Sequence, residues 1–258
     1  MHTMPRTAFI TGAAKRVGRE ITLNLARQGW NIAIHYNTSE YDAMSLEEEI
    51  IGLGVSCCAI QGDLCQAESA SLWLEEAIAR LGDIDTLILN ASLFERDTLD
   101  TLTTESFASH ITVNLHSAIT LIQAFTKHLP TRASGNIICL GDGMKGWSIS
   151  PSFLSYSLSK MALENLVTLL APAIAPHARI NMIALGATLQ GAQDNEGLFD
   201  KLSNINALKR NSSPKEVCTA VNFLLQSPSV TGQIIDLAGG FTLQQQSKFR
   251  ATHYDSKA

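Results

Sequence analysis

Apolar residues fall along this chain in short runs separated by amphipathic stretches. The short runs are Thr7–Thr11 (TAFIT), Asn31–Tyr36 (NIAIHY), Val55–Gln61, Thr86–Asn90 (TLILN), Asn136–Leu140 (NIICL), Arg179–Ala184 (RINMIA) and Gln233–Leu237. Their length and their valine, isoleucine and threonine content predict seven strands. Between them, Val17–Gln28, Ala43–Leu53, Ser69–Leu81, Thr104–Leu129 and Ser155–Ala173 carry apolar residues at helical spacing, as Ile21 and Leu25 show. The Glu47-Glu48-Glu49 run reads as a solvated helix face. Strand–helix alternation gives an α/β fold, and right-handed crossovers narrow it to a doubly wound, parallel seven-stranded sheet with helices on both faces. Ligands of such sheets bind beyond the carboxyl ends of the strands, so chemistry is expected just after strands. With no repeat or linker, all 258 residues are expected to form a single domain. The irregular stretch 186–211 reads either as a flexible substrate-covering flap, with a short helix near Gly197–Asn206, or as a surface excursion. The polar tail 244–258 is expected to be partly disordered or to reach a neighbouring subunit.

Composition narrows the partners. Hydrophobic residues make up 45% and charged residues 17%, as in a globular protein. A net charge of -5 argues against a nucleic-acid footprint, which is normally basic. Cys57, Cys58, Cys65, Cys139 and Cys218 show no CxxC spacing, so no zinc or other metal site and no disulfide framework is expected. Reduced thiols suit the cytoplasm. No apolar run has the length of a signal peptide core or a membrane span. A small-molecule substrate is expected.

The first strand runs into Thr11-Gly12-Ala13-Ala14-Lys15-Arg16-Val17-Gly18 and then a helix. Gly12 permits the tight turn, Gly18 permits close helix–strand packing, and the helix N-terminus offers N–H groups to a pyrophosphate. Placed here, the turn predicts a Rossmann dinucleotide site. Arg16, beside Lys15, stands where a middle glycine is usual, and a cation there suits the 2′-phosphate of NADP. The second strand ends in His35-Tyr36-Asn37-Thr38-Ser39, without the acid that would take a free ribose 2′-hydroxyl. Arg16, His35 and Ser39 together favour NADPH/NADP. Asp63, after the third strand, either accepts from the adenine amino group or caps the following helix.

Tyr156 and Lys160 stand at i and i+4 on one helical face after the fifth strand. A phenol is a poor acid at neutral pH, and a lysine ammonium and a bound oxidised nicotinamide both favour its ionised form. The pair suits proton donation as hydride arrives.

The order TGxxxxxG, Asn90-Ala91, Asn114 and Tyr156-x-x-x-Lys160 resembles the short-chain dehydrogenase/reductases over essentially the whole chain. The resemblance implies that Lys160 also holds the nicotinamide ribose, that Asn114 helps hold a proton-relay water, and that Asn90 supports the strands beside the cofactor. It also implies that Val17, Tyr36, Asn37, Leu64, Ala91 and Gly186 surround the cofactor, and that the protein is a homo-oligomer, a dimer or tetramer built on its long helices.

Within that family the chain is most similar to the pteridine and dihydromonapterin reductases. The loop TGAAKRVG, the His-Tyr strand end, Asn90-Ala91-Ser92-Leu93-Phe94 and Leu140-Gly141-Asp142 carry this resemblance. It implies that Ser92 contacts cofactor and pterin, that Phe94 stacks on the pterin, and that Asp142 replaces the serine usual in the wider family. Asp142 is then placed to accept from the pterin amino group or to relay a proton with Tyr156. Three features depart from the pattern: the Asp142–Tyr156 interval is one residue long, with the insertion expected within 145–153; Leu185-Gly186 replaces Pro-Gly; and Ala238-Gly239-Gly240 replaces Asp-Gly-Gly. Three functions stay open: NADPH-dependent pterin reduction, NADPH-dependent reduction of ketones such as 3-oxoacyl thioesters, and a non-catalytic NADPH-binding regulator.

Overall fold

Seven strands lie parallel in one sheet: β1 (Thr7–Ile10), β2 (Asn31–Tyr36), β3 (Cys57–Gln61), β4 (Thr86–Leu89), β5 (Gly135–Asp142), β6 (Ala178–Leu185) and β7 (Ile234–Leu237). Their spatial order is β3-β2-β1-β4-β5-β6-β7. The computed structural model describes residues 6–129, 134–144, 152–190 and 197–243. The order of the strands reverses between β1 and β4, where Ala8 pairs with Ile32 on one side and Thr86 on the other. The crevice of a doubly wound sheet opens there, at the carboxyl ends.

Successive strand residues face opposite ways, and both faces are covered. Phe9, Leu87, Ile137, Cys139 and Ile180 pack with Trp73, Leu74, Phe125, Leu163 and Val167 from α3 (Ala70–Leu81), α5 (Ser117–His128) and α6 (Leu154–Ile174). Ile10, Ile34, Ile88, Ile138 and Ile183 pack with Ile21, Leu25, Ile50, Val221 and Leu224 from α1 (Arg16–Ala26), α2 (Glu40–Gly52) and α8 (Pro214–Gln226). Each such side chain contributes about 1.5–3 kcal/mol on burial.

The structure departs from the periodicity in two places. Helix α8 lies in a stretch where no helix is expected, although Ser213, Pro214 and Glu216 announce it: Ser213 and Glu216 form a capping box with proline in the first turn. The helix expected over Thr104–Leu129 is interrupted. α4 (Thr104–Ile111) gives way to a π-helical turn over Thr112–His116 before α5 begins. The wider turn carries Asn114, and such turns often accompany functional sites. The short helix expected near Gly197–Asn206 is α7 (Leu198–Ile205). Part of the expected flap (191–196), most of the segment 145–153 and the tail 244–258 lie outside the described residues. No described helix is long and apolar enough to cross a membrane.

Candidate active site

The crevice is stitched together by Thr11 and Asn90. Thr11 Oγ1 accepts from the backbone N–H of Asn90 at 2.9 Å and of Ala91 at 3.0 Å. Asn90 Nδ2 donates to the carbonyls of Thr11 (2.9 Å) and Gly12 (3.0 Å). Gly12 has φ +60, and a Cβ on Gly18 would lie 2.2 Å from the Gly12 carbonyl oxygen. The glycines therefore hold the turn against β4 and bring α1 onto it.

The N-terminus of α1 has no side-chain cap and no acid in its first turn. Its free N–H groups and positive dipole end fit a pyrophosphate. Lys15 pairs with Asp42 at 2.8 Å, which places its ammonium over the start of α2. Arg16 adopts φ +54, in the left-handed region usually left to glycine. Its guanidinium reaches across to the carbonyls of Gln190 (3.2 Å) and Leu189 (3.3 Å), which follow β6. Val17 is half-buried behind it.

His35 departs from its expected place. Only 1% of it is exposed, and its ring lies between Phe9 and Trp73 with centroids 5.9 and 5.2 Å away. Burial lowers its pKa to about 4, so the imidazole is neutral and cannot meet a phosphate at the surface. Helices cover both faces of β2, and its residues 32–36 are all buried, so none of them has a solvent side. Tyr36 is buried for the same reason. Lys15, Asn37 and Ser39 remain as the polar groups at this end of the crevice. Asp63 caps its own turn, accepting from Cys65 N–H at 3.0 Å and from Asn37 Nδ2 at 3.4 Å, and Leu64 beside it is buried.

At the other end, Asn114 is saturated. Its Oδ1 accepts from Leu93 N–H (2.7 Å) and Ser92 Oγ (3.1 Å), and its Nδ2 donates to the Leu93 carbonyl (3.0 Å) and Ser159 Oγ (2.9 Å). The side chain thus clamps the Ser92–Leu93 loop to α6, and no side-chain donor or acceptor is left for a relay water. Tyr156 and Lys160 share one face of α6. Lys160 is buried, and its ammonium donates to the Leu140 carbonyl at 3.0 Å while lying 5.9 Å from the Tyr156 ring centroid. Burial lowers its pKa to about 8, against opposing effects of Asp142 and Cys139. The Tyr156 pKa moves opposite to the expectation from its lysine: burial first, then Asp142, raises it well above the ordinary value. Asp142 closes β5 and accepts from Met144 N–H at 2.8 Å. Gly186 donates to Leu237 across the end of the sheet, and a Cβ there would meet Ala238 Cα at 2.8 Å.

Phe94 is 60% exposed. Its ring stacks on Phe153 (4.6 Å, 8°) and stands edge-on to Tyr156 (4.6 Å), while Arg96 covers Phe153 at 5.3 Å. Phe153 and Arg96 escape a reading by motif, because only the fold brings the loop after β4 against the start of α6. Thr188 and Ser212, joined at 2.8 Å, likewise anchor the chain after β6 without a motif to mark them.

The model of the enoyl-(acyl carrier protein) reductase family matches residues 12–242. The chain belongs to the short-chain dehydrogenase/reductase family. It is an oxidoreductase. The crystal structure of FolM alternative dihydrofolate reductase 1 from Brucella canis, complexed with NADP, aligns with this short-chain dehydrogenase/reductase at 33% identity and a TM-score of 0.85, over 92% of this chain and 94% of that one. Its counterpart from Brucella suis, also in complex with NADP, gives 33% identity and a TM-score of 0.87, over 92% and 95%. The 3-oxoacyl-[acyl-carrier-protein] reductase FabG of Staphylococcus epidermidis is 28% identical over 242 residues, 92% of this chain and 99% of that protein. Members of this family use a nicotinamide cofactor, and the uncapped α1 N-terminus beside Lys15 fits one.

Proposed function

We propose that this short-chain dehydrogenase/reductase is an NADPH-dependent reductase of a pterin-type substrate, taking a dihydropterin or dihydrofolate to the tetrahydro form. The observation that carries this is the exposed Phe94 ring held against Tyr156. A flat aromatic beside the proton donor suits a flat heterocycle, and offset stacking adds roughly 0.5–1.5 kcal/mol beyond burial. The likeness to two proteins described as alternative dihydrofolate reductases supports the same reading.

NADPH is favoured over NADH by Lys15 and Arg16 and by the absence of an acid among Asn37, Thr38 and Ser39. The turn Gly12–Gly18, together with Asn37, Ser39, Asp63, Asn90, Ala91 and Gly186, would hold the cofactor, with Lys160 toward its nicotinamide ribose. Bound NADPH supplies the hydride. Tyr156 holds the proton: its raised pKa keeps the phenol protonated at neutral pH, ready to donate from Oη to the substrate nitrogen as the C=N carbon is reduced. With a pKa of about 8, Lys160 is charged at pH 7 and stabilises the phenolate left behind. Asp142 is assigned to the substrate amino group and Ser92 to the pterin edge. Asn114 fixes the Ser92 loop rather than holding water with its side chain. The five cysteines are free thiols, which fits a reducing cytoplasm. Exposed Ile119 on α5 and Leu158, Met161 and Leu169 on α6 suit burial against a second copy.

The likeness to the Staphylococcus 3-oxoacyl reductase favours a second reading, reduction of a ketone, which needs the same Tyr156 and Lys160 but not Phe94. The deciding experiment follows NADPH oxidation with dihydrobiopterin, dihydrofolate and a panel of ketones, for the wild type and Phe94→Ala. Pterin turnover that collapses in the variant supports the proposal. Turnover of ketones alone, indifferent to Phe94, rejects it in favour of the second reading.

A further inference from the structure

Helix α6 begins without a cap of its own. Its N-cap residue, Phe153, makes no side-chain capping bond, and the first turn contains no acid. Yet this turn carries Tyr156, and a proton donor needs a fixed position. The missing cap comes from elsewhere in the chain. Asp97, in the loop after β4, is 4% exposed, and its Oδ1 accepts from the Ser155 N–H at 3.0 Å. Its backbone joins the same turn on both sides: Asp97 N–H donates to the Ser152 carbonyl at 3.2 Å, and Leu154 N–H donates to the Asp97 carbonyl at 3.2 Å. Residues 97 and 153 thereby form an isolated parallel bridge.

The loop is held from α4 as well. Ser106 Oγ donates to Asp97 Oδ2 at 3.4 Å. The buried His110 accepts from Glu95 N–H through Nε2 at 3.3 Å, while its Nδ1 lies 2.8 Å from the Ser106 carbonyl. That pair of contacts fixes a neutral tautomer with the proton on Nδ1. Burial alone would raise the Asp97 pKa, but the hydrogen bonds that Ser155 and the Ser106 hydroxyl donate outweigh it and hold the carboxyl below its ordinary value. A carboxylate at a helix N-terminus also meets the positive end of the dipole.

Asp97 is therefore three residues from Phe94 and bonded to the residue before Tyr156. Both rings of the edge-on pair descend from segments that it joins. We infer that Asp97 is a positioning residue, capping α6 from outside the helix and setting the placement of Tyr156 relative to Phe94 and the substrate. This rests on the reading of Tyr156 as proton donor. Asp97 itself touches no reacting group.

The test compares wild type, Asp97→Ala, Asp97→Asn and Tyr156→Phe in steady-state kinetics, using NADPH and the better substrate of dihydrobiopterin and an acetoacetate ester. The thermal midpoint of each is recorded. An asparagine keeps the acceptor for Ser155 N–H and can donate to Ser106 Oγ, whereas alanine does neither. Asp97→Ala is expected to lose about a hundredfold in kcat, the scale of a reacting group moved by about an ångström, with the KM for NADPH unchanged. Asp97→Asn is expected to recover most of that loss. A folded Asp97→Ala with wild-type kcat overturns the inference. So does a loss of kcat that tracks a rise in NADPH KM and a fallen midpoint, which would mark a purely structural role. If Asp97→Ala does not fold, Asp97→Asn decides alone: a kcat near wild type supports capping by the acceptor, and a collapsed kcat in the folded variant overturns it. Tyr156→Phe separates the two layers, since full activity there removes the proton-donor reading whatever Asp97 does.

Discussion

Phe94 meets Tyr156 edge-on, with ring centroids 4.6 Å apart and planes at 79°. The contact shields the phenol that the proposed chemistry must deprotonate. Since burial is the first cause of the raised Tyr156 pKa, uncovering the ring should undo part of it. Phe94→Ala is expected to move the phenol back toward its ordinary value. The ultraviolet phenolate titration of the cofactor-free protein, with Tyr156→Phe to identify the signal, measures this. An unmoved titration would mean that Asp142, not the aromatic cover, sets the shift.

Gly18→Ala is expected to be severe. The added Cβ would sit 2.2 Å from the Gly12 carbonyl oxygen and 2.7 Å from Asn90 Nδ2, so backbone has to shift. Overpacking of this kind typically costs about 1–3 kcal/mol. A lowered urea midpoint together with lost NADPH binding is the expected result. By contrast, Gly52→Ala, where a Cβ meets nothing within 4 Å, should leave NADPH binding unchanged.

Arg16 presents the opposite case, a side chain where the backbone favours glycine. Its φ of +54 costs roughly 1 kcal/mol, which Arg16→Gly relieves. The greater freedom of glycine in the unfolded chain offsets that by about 0.5–1 kcal/mol, and losing the exposed guanidinium bonds to the Gln190 and Leu189 carbonyls leaves a small net destabilisation. The KM for NADPH should rise about tenfold, the equivalent of one charge-assisted hydrogen bond. Steady-state kinetics beside a denaturation curve would separate the two effects, and an unchanged KM would remove Arg16 from the phosphate site.

His35 gives a pH dependence of stability. The ordinary imidazole takes up its proton near 6.5, but the folded one only near 4. Below 6.5 the unfolded chain therefore binds more protons than the native state, and stability falls as the pH drops from 6.5 to 4. The loss amounts to about 3 kcal/mol. Both ring nitrogens are buried without a partner, so an apolar replacement leaves no orphaned donor. His35→Leu should flatten the acid limb of the urea midpoint, and an unchanged limb would place the titration elsewhere.

The alternation of strands and helices was readable because each strand is short and apolar and most are followed by helical spacing, whereas the strand order β3-β2-β1-β4-β5-β6-β7 comes from the structure, since right-handed crossovers fix only the face that each helix covers. Helix α8 carried its own signal in Ser213, Pro214 and Glu216, which periodicity alone passes over. The π turn at Thr112–His116 had none, because the residues around Asn114 keep ordinary helix-forming types and only contacts with Leu93 and Ser159 reveal the wider turn. At the site, residues defined by backbone constraint, Gly12 and Gly18, announced themselves. Residues defined by direction did not: His35 lies at the end of a strand, but which way its ring turns depends on α3 covering that face. Asp97 is the extreme case. It acts on Ser155 across 58 residues of chain, and no local pattern records such a distance.

The four hydrogen bonds between Thr11, Gly12 and the Asn90–Ala91 segment have a consequence for how this enzyme can be recombined. They form a seam between the amino-terminal segment, where the phosphate site is proposed, and the carboxyl-terminal segment, where the substrate site is proposed. Chimeras with a relative that exchange everything from Asn90 onward would keep these bonds only if threonine and asparagine arrive as a matched pair. The natural crossover point therefore lies beyond Ala91, in the loop leading to Phe94, where substrate preference can be exchanged without cutting a stitch.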